Sequence, residues 1–267
     1  MMKALISLLP LVFVAATSLA KTAPQTTDLA VQNTQAVLWM QNAGEYRALC
    51  YQAYNTAMMA FDLAKAKHQG KLAVMVDLDE TMLDNSPYAA WQIQHHQPYE
   101  TVSWNNWVNA VQTPALPGAV AFANYVTKQG GTMFYVSNRS DRTFEATKAN
   151  LIKAGFPNVS NVTLRLKKET SDKAPRMQSI EAEGYKVVLL LGDNLNDFPE
   201  LHTYHQLNTE RNAIADAHQQ EFGHRFILLP NPSYGDWEPG LGKGYYQLSE
   251  EQKAQLRNDS LRPWNGQ

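Results

Sequence analysis

Acidic, hydroxyl and cationic side chains recur where apolar runs of this 267-residue chain end. The run at 72–76 leads straight into Asp77, with Asp79 two positions later and Thr81 four later. The run at 132–136 closes on Ser137-Asn138-Arg139, and the run at 186–191 on Gly192-Asp193-Asn194-Leu195-Asn196-Asp197. After a third run, at 162–166, stand Lys167, Lys168 and Lys173. Carboxylates as close as Asp77 and Asp79 repel in a dry site unless a metal ion or a proton offsets them. A short apolar run ending in carboxylates has the pattern of a buried parallel strand, and open α/β sheets bind ligands at the carboxyl ends of such strands. Each group alone has an ordinary reading: a solvated Asp-rich turn, or a helix N-cap for Ser137. Their recurrence in this order, on successive strand ends, argues for one site.

The elements that must position these groups alternate in type. Residues 21–34 are polar and predict a flexible arm. Asn42-Ala43-Gly44-Glu45 matches a capping box. Tyr46, Leu49, Cys50, Ala53, Tyr54, Ala57, Phe61 and Ala64 then form one helical stripe, stopped by His68-Gln69-Gly70. After the first strand an insert carries Tyr88, Trp91, Tyr99, Trp104 and Trp107, a satellite apolar cluster; one or two of these rings could instead stack on a flat substrate group. His95 and His96 lack metal-ligand spacing and read as surface residues. Helices are predicted at 114–130 with Pro117 in the first turn, from Asp141 to Gly155, within 167–183, and at 208–221; strands at 132–136, 162–166, 186–191 and 225–229. Residues 231–244 are rich in Gly and aromatics, but Gly240-Leu241-Gly242-Lys243-Gly244 follows a Pro-rich turn, so it is no dinucleotide fingerprint. A mobile flap over the carboxyl edge of the sheet fits better, followed by a helix near 250–257. The pattern predicts an α/β fold: a doubly wound, mostly parallel sheet with right-handed crossovers, an N-terminal helix and a small helical cap insert. The predicted organisation is a leader at 1–20, an arm and helix at 21–70, a core at 71–230 with the cap insert at 85–113, and a flap and tail at 231–267.

Lys3, the apolar stretch at 4–16 and Ser18-Leu19-Ala20 read as a secretory signal peptide, too short for a comfortable membrane span. Cleavage near Ala20 would give an exported chain, periplasmic or secreted, with no membrane anchor. The formal net charge of −2 is no footprint for a nucleic acid polymer or an anionic membrane. Cys50 is the only cysteine, so no intrachain disulfide forms; on an apolar helix face it reads as a small buried hydrophobe.

The chain resembles the class C ("DDDD") acid phosphatases of the haloacid dehalogenase superfamily, among them the outer-membrane lipoprotein acid phosphatases. The resemblance covers nearly the whole mature chain, through QNAGEYRALCYQAYN, DLDETMLDNSPYAAW, YVSNR, LKKETSDKAPR, GDNLNDF, LLPNPSYGDWE and GLGKGYY. It departs from the lipoproteins in lacking a Cys after the leader. It implies a Mg²⁺-dependent hydrolase of small phosphomonoesters such as 5′-nucleotides and aryl phosphates, with Asp77 as nucleophile and Asp79 as acid and base. It assigns the metal to Asp77, Asp193 and the Asp79 carbonyl, with Asp197 as a ligand or as an orienting group. Phosphate falls to Ser137, Asn138 and Lys173, the lysine in SDKAPR that matches the family position; Trp104 and Tyr234 become candidates to stack on the leaving group. It also allows a homodimer. Other chemistry on the fold (a mutase, a dehalogenase) and a non-catalytic binding protein are the alternatives. Asp79 argues against a dehalogenase, and the joint presence of Asp77, Asp79, Asp193 and Lys173 against lost catalysis.

Overall fold

A computed structural model describes residues 28–266; the predicted leader lies outside the described residues. The elements run α1 (Leu29–Gln32), α2 (Thr34–Asn42), α3 (Gly44–Lys67), β1 (Lys71–Val76), α4 (Ser86–His95), α5 (Thr101–Asn109), α6 (Ala119–Lys128), β2 (Thr132–Ser140), α7 (Phe144–Ala154), β3 (Leu164–Lys167), α8 (Ala174–Ala182), β4 (Tyr185–Gly192), α9 (Asn208–Ala217), β5 (Phe226–Leu228) and α10 (Glu250–Asp259). The five strands form one parallel sheet in the order β3-β2-β1-β4-β5.

The sheet is buried on both faces, which explains its near-continuous apolar strands. Along β1, Leu72, Val74 and Val76 enter one core cluster with Tyr54, Phe61 and Phe122, whereas Ala73 and Met75 enter a second with Ile180, Phe198 and Phe226. Successive side chains of a strand point to opposite faces, so both layers are needed to cover them. α3 and α6 pack together on the first face, and α8 packs against β4 on the second. The strand order reverses at β1: β2 and β3 lie to one side, β4 and β5 to the other. The crevice beside β1 is therefore a topological switch point, where open α/β sheets bind ligands.

Three local expectations need correction. Within the predicted flexible arm at 21–34, Leu29–Gln32 is helical, and after a break at Asn33 a second helix, for which no element was predicted, runs from Thr34 to Asn42. The capping box does not form: Asn42 is the last residue of α2, and its Nδ2 donates to Leu38 O at 2.9 Å. The extended N-cap residue of α3 is Ala43. With one residue between two helices, Asn42 cannot adopt the extended backbone a cap requires. In the α3 stripe Leu49 is exposed, and the inward positions are Tyr46, Cys50, Tyr54, Ala57, Ala60 and Phe61. The insert is helical as expected, with Tyr88 against Trp91 and Trp104 at ring-centroid distances of 5.9 and 5.2 Å. His95 and His96 are exposed. No helix among the described residues is long and apolar enough to cross a membrane.

Candidate active site

β1 and β4 pair with Val76 opposite Leu191, and the Asp77 N–H donates to Leu191 O at 2.9 Å. Asp77 therefore leaves the sheet beside Gly192, with Asp193 next along the neighbouring chain. Carboxylate oxygens of Asp77, Asp193 and Asp197 all lie within 4.8 Å of one another. Lys173, 1% exposed at the start of α8, reaches between them: its ammonium donates to Asp77 Oδ1 and lies 2.7 Å from Asp197 Oδ1. Of the three lysines considered, Lys173 is the one joined to Asp77; Lys168 is exposed and Lys167 half-buried.

Each carboxylate is aimed by its own supports. Asp193 accepts from Thr81 Oγ1 at 3.2 Å and from Asn231 Nδ2 at 2.7 Å. Asp197 gives its second oxygen to the Asn194 N–H at 3.0 Å, closing a capping box over the short turn at Leu195–Asp197. Gly192 makes this approach possible, since a Cβ there would overlap Asp197. From the far side of the sheet, the buried Tyr54 hydroxyl of α3 donates to the Thr81 carbonyl.

Two buried carboxylates and the half-buried Asp193 against one ammonium leave an excess of negative charge. Asp77 is pushed up to about 7, chiefly by burial, with Asp197 and Asp79 adding to the rise and Lys173 opposing it. Burial, then Asp197 and Asp77, push Asp193 well above the carboxylate range. Burial alone would lower Lys173, but Asp197 and Asp77 outweigh it and hold the ammonium charged. Oxygen donors this close and this charge-rich suit a hard divalent cation.

Asp79 points elsewhere. Its Oδ1 accepts from Arg139 Nη2 at 2.7 Å, Arg139 Nε at 2.9 Å and Asn85 Nδ2 at 2.9 Å, while Ser137 Oγ stands 3.5 Å from Oδ2. Its side chain thus lies outside the Asp77–Asp193–Asp197 group. Ser137 is buried and its Oγ accepts from the Arg139 N–H at 3.1 Å. Asn138 is exposed, and its Oδ1 accepts from Arg176 Nη2 at 2.6 Å. Arg176 also donates to Ser137 O at 2.7 Å. Trp104 lies under Arg139, with the guanidinium carbon 5.6 Å from the ring centroid. Tyr234 is 43% exposed as a residue while its hydroxyl donates to Glu80 Oε2. Trp104 and Tyr234 thus each rest on a charged neighbour of Asp79.

The sequence pattern placed Arg139 at a strand end without giving it a role in the site, and did not reveal Asn85, Glu80 or Arg176. Arg139 had a readable signal: β2 continues to Ser140, and residues two apart on a strand share a face, so Ser137 and Arg139 turn inward while Asn138 turns out. Asn85 is a hub. Its side chain donates to Asp79 and Glu80 and accepts from Trp107 Nε1 of the insert at 2.8 Å. Glu80 is 1% exposed with a left-handed backbone, φ 55°. Burial, with Asp79 next, pushes its carboxyl up to about 8.

The segment predicted as a flap reaches this edge and is held there. Asn231 bonds Asp193, Tyr234 bonds Glu80, and Asp236 accepts from Asn194 and Asn196. Buried Arg211 of α9 joins the same loop, donating to Asn194 Oδ1 at 3.0 Å and Asn196 Oδ1 at 2.8 Å.

Comparison with known proteins gives a consistent result. The family model for the acid phosphatases of HAD superfamily subfamily IIIB matches residues 9–237. A solved class C acid phosphatase from Bacillus anthracis superposes with a TM-score of 0.84 at 35% identity, covering 89% of this chain and 100% of that one. A second structure of the Bacillus anthracis enzyme, with tungstate bound, matches equally well. Acid phosphatase 1 of Solanum lycopersicum is 30% identical over 133 residues, covering 48% of this chain and 52% of that protein. A stem 31 kDa glycoprotein of Glycine max is 27% identical over 162 residues. The match spans little more than half the length of these two curated relatives.

Proposed function

The chain belongs to the acid phosphatases of HAD superfamily subfamily IIIB, and from that premise we propose that it hydrolyses small phosphomonoesters by forming and breaking a phosphoryl bond on Asp77. The observation that carries this reading is the position of Asp77, at the switch point, between the Lys173 ammonium and the carboxylates of Asp193 and Asp197. Tungstate, a tetrahedral oxyanion, is bound in the Bacillus anthracis relative, which supports a phosphate-shaped site here.

Asp77, Asp193 and the Asp79 backbone carbonyl would hold Mg²⁺, with Asp197 as ligand or orienting group. Bound there, the cation supplies the positive charge that lets an anionic carboxylate approach an anionic ester. The protein's own groups do the rest. Lys173 neutralises and aims Asp77, and the Ser137 hydroxyl with the backbone N–H of Asn138, whose side chain turns away, receives phosphoryl oxygens. An Asp77 oxygen attacks phosphorus, the phosphorus–oxygen ester bond breaks, and Asp79 gives the leaving oxygen its proton. Asp79 then takes a proton from the hydrolytic water, which attacks the aspartyl-phosphate, frees inorganic phosphate and restores Asp77. Arg139 and Asn85 keep Asp79 turned toward the leaving group. Trp104 and Tyr234 flank that side and suit aryl or nucleobase leaving groups. The leader fits an exported enzyme, and residues 231–247 act as its closing segment.

The test is a phosphate-release screen of aryl phosphates, 5′-nucleotides and sugar phosphates. Turnover that EDTA abolishes and Mg²⁺ restores is the expected result. Absence of release from every ester, with Mg²⁺ present and the fold intact, overturns the reading.

A further inference from the structure

Glu80 has no part in the chemistry above, yet it is among the most constrained residues of the site. It is buried, and it holds a left-handed backbone that bulky residues avoid. Its carboxylate meets three donors: the Asn85 N–H at 2.6 Å, Asn85 Nδ2 at 3.2 Å and the Tyr234 hydroxyl. Asn85 Nδ2 also donates to Asp79 at 2.9 Å, so Glu80 and Asp79 are referenced to one side chain. Tyr234 is therefore anchored by its tip, while the residue as a whole is exposed. The backbone around it belongs to no regular element, so the ring's position rests on such side-chain bonds.

We propose that Glu80 is a positioning residue: through the Tyr234 hydroxyl it fixes the ring beside Asp79, and so gives the site its preference for phosphomonoesters with a flat aromatic or heterocyclic leaving group over aliphatic ones. The inference rests on the phosphatase reading above. The leaving oxygen must come to Asp79 for its proton, so the group attached to that oxygen lies beside whatever flanks Asp79. An untethered tyrosine on an irregular segment loses conformational freedom each time it stacks. A ring already held by a hydrogen bond to a buried carboxyl group has met that cost in folding.

The test measures kcat and KM for p-nitrophenyl phosphate and β-glycerol phosphate in the full chain and in Tyr234→Phe, Glu80→Gln and the double variant. Tyr234→Phe keeps the ring and removes only the tether. It is expected to lower the aryl-over-alkyl ratio of kcat/KM by about tenfold, through KM for the aryl ester. Glu80→Gln should move the ratio in the same direction. The double variant should be no worse than Tyr234→Phe alone, because Glu80→Gln only weakens the bond that Tyr234→Phe removes. An unchanged ratio in Tyr234→Phe, or effects that multiply in the double variant, overturns the proposal. Should Glu80→Gln fail to fold, Tyr234→Phe decides alone. If the unsubstituted chain releases phosphate from neither of these esters nor from any other in the screen above, the phosphatase reading itself fails and this inference falls with it, a result distinct from a lost preference.

Discussion

Two regions meet over the switch point and are built in opposite ways. The core edge (Asp77, Lys173, Asp193, Asp197) hangs on strand and helix ends whose positions the apolar core dictates. The closing segment, residues 231–247, has only two short turns of helix and is placed by side chains: Asn231 on Asp193, Tyr234 on Glu80, Asp236 on Asn194 and Asn196. The first is positioned from below by packing, the second from above by hydrogen bonds. The contrast suggests a division of labour, with reactivity fixed by the core edge and substrate fit by the closing segment.

The contrast is broken most directly at Asp77. Asp77→Asn should lower kcat by roughly 10⁴ or more while circular dichroism stays native; a few-fold loss would move the nucleophile elsewhere. Lys173→Met leaves two buried carboxylates without their cation. It should cost about 3 kcal/mol in urea unfolding as well as about 10² in kcat. Gly192→Ala forces a methyl group onto Asp197 and should lower kcat about 10–100-fold with little change in KM. Asp236→Ala, in the closing segment, removes one partner each from Asn194 and Asn196, which Arg211 still holds. About a fivefold loss in kcat/KM, carried mostly by KM, is expected from the lost bonds. If Asp236→Ala depressed kcat as much as Gly192→Ala does, the two regions would not divide the work.

The same contrast explains what could be read from the sequence. The strand ends were legible because a run of apolar residues must be buried, and burial fixes where the next polar residue emerges. That logic reached Asp77, Ser137 and Asp193, and the sheet around them. The choice of Lys173 over Lys167 and Lys168 came from family likeness, since spacing alone left all three open. Arg139 could have been found, had the alternation of β2 been carried past Val136. Glu80, Asn85, Arg176 and Arg211 could not, because each owes its role to partners remote in the sequence or to a backbone turn that no local pattern announces. The missed helix at Thr34–Asn42 has the same cause: it is buried only at Val37 and Met40 while Leu38 is exposed, so no apolar stripe marks its inner face. The capping-box error shows the reverse case, a correct local motif pre-empted by the helix before it.

The bonds that knit the site join distant parts of the chain. Arg139 and Asp79 are 60 residues apart, Lys173 and Asp77 96, Thr81 and Asp193 112, and Tyr234 and Glu80 154. No short segment can preform such a centre, and long loops must close before any of these contacts forms. A chain stopped before Asp193 lacks one wall of the cluster whatever it has already packed. Phosphate release during refolding should therefore lag helix formation and rise only as the last crossover docks, which would make turnover a late reporter of complete assembly.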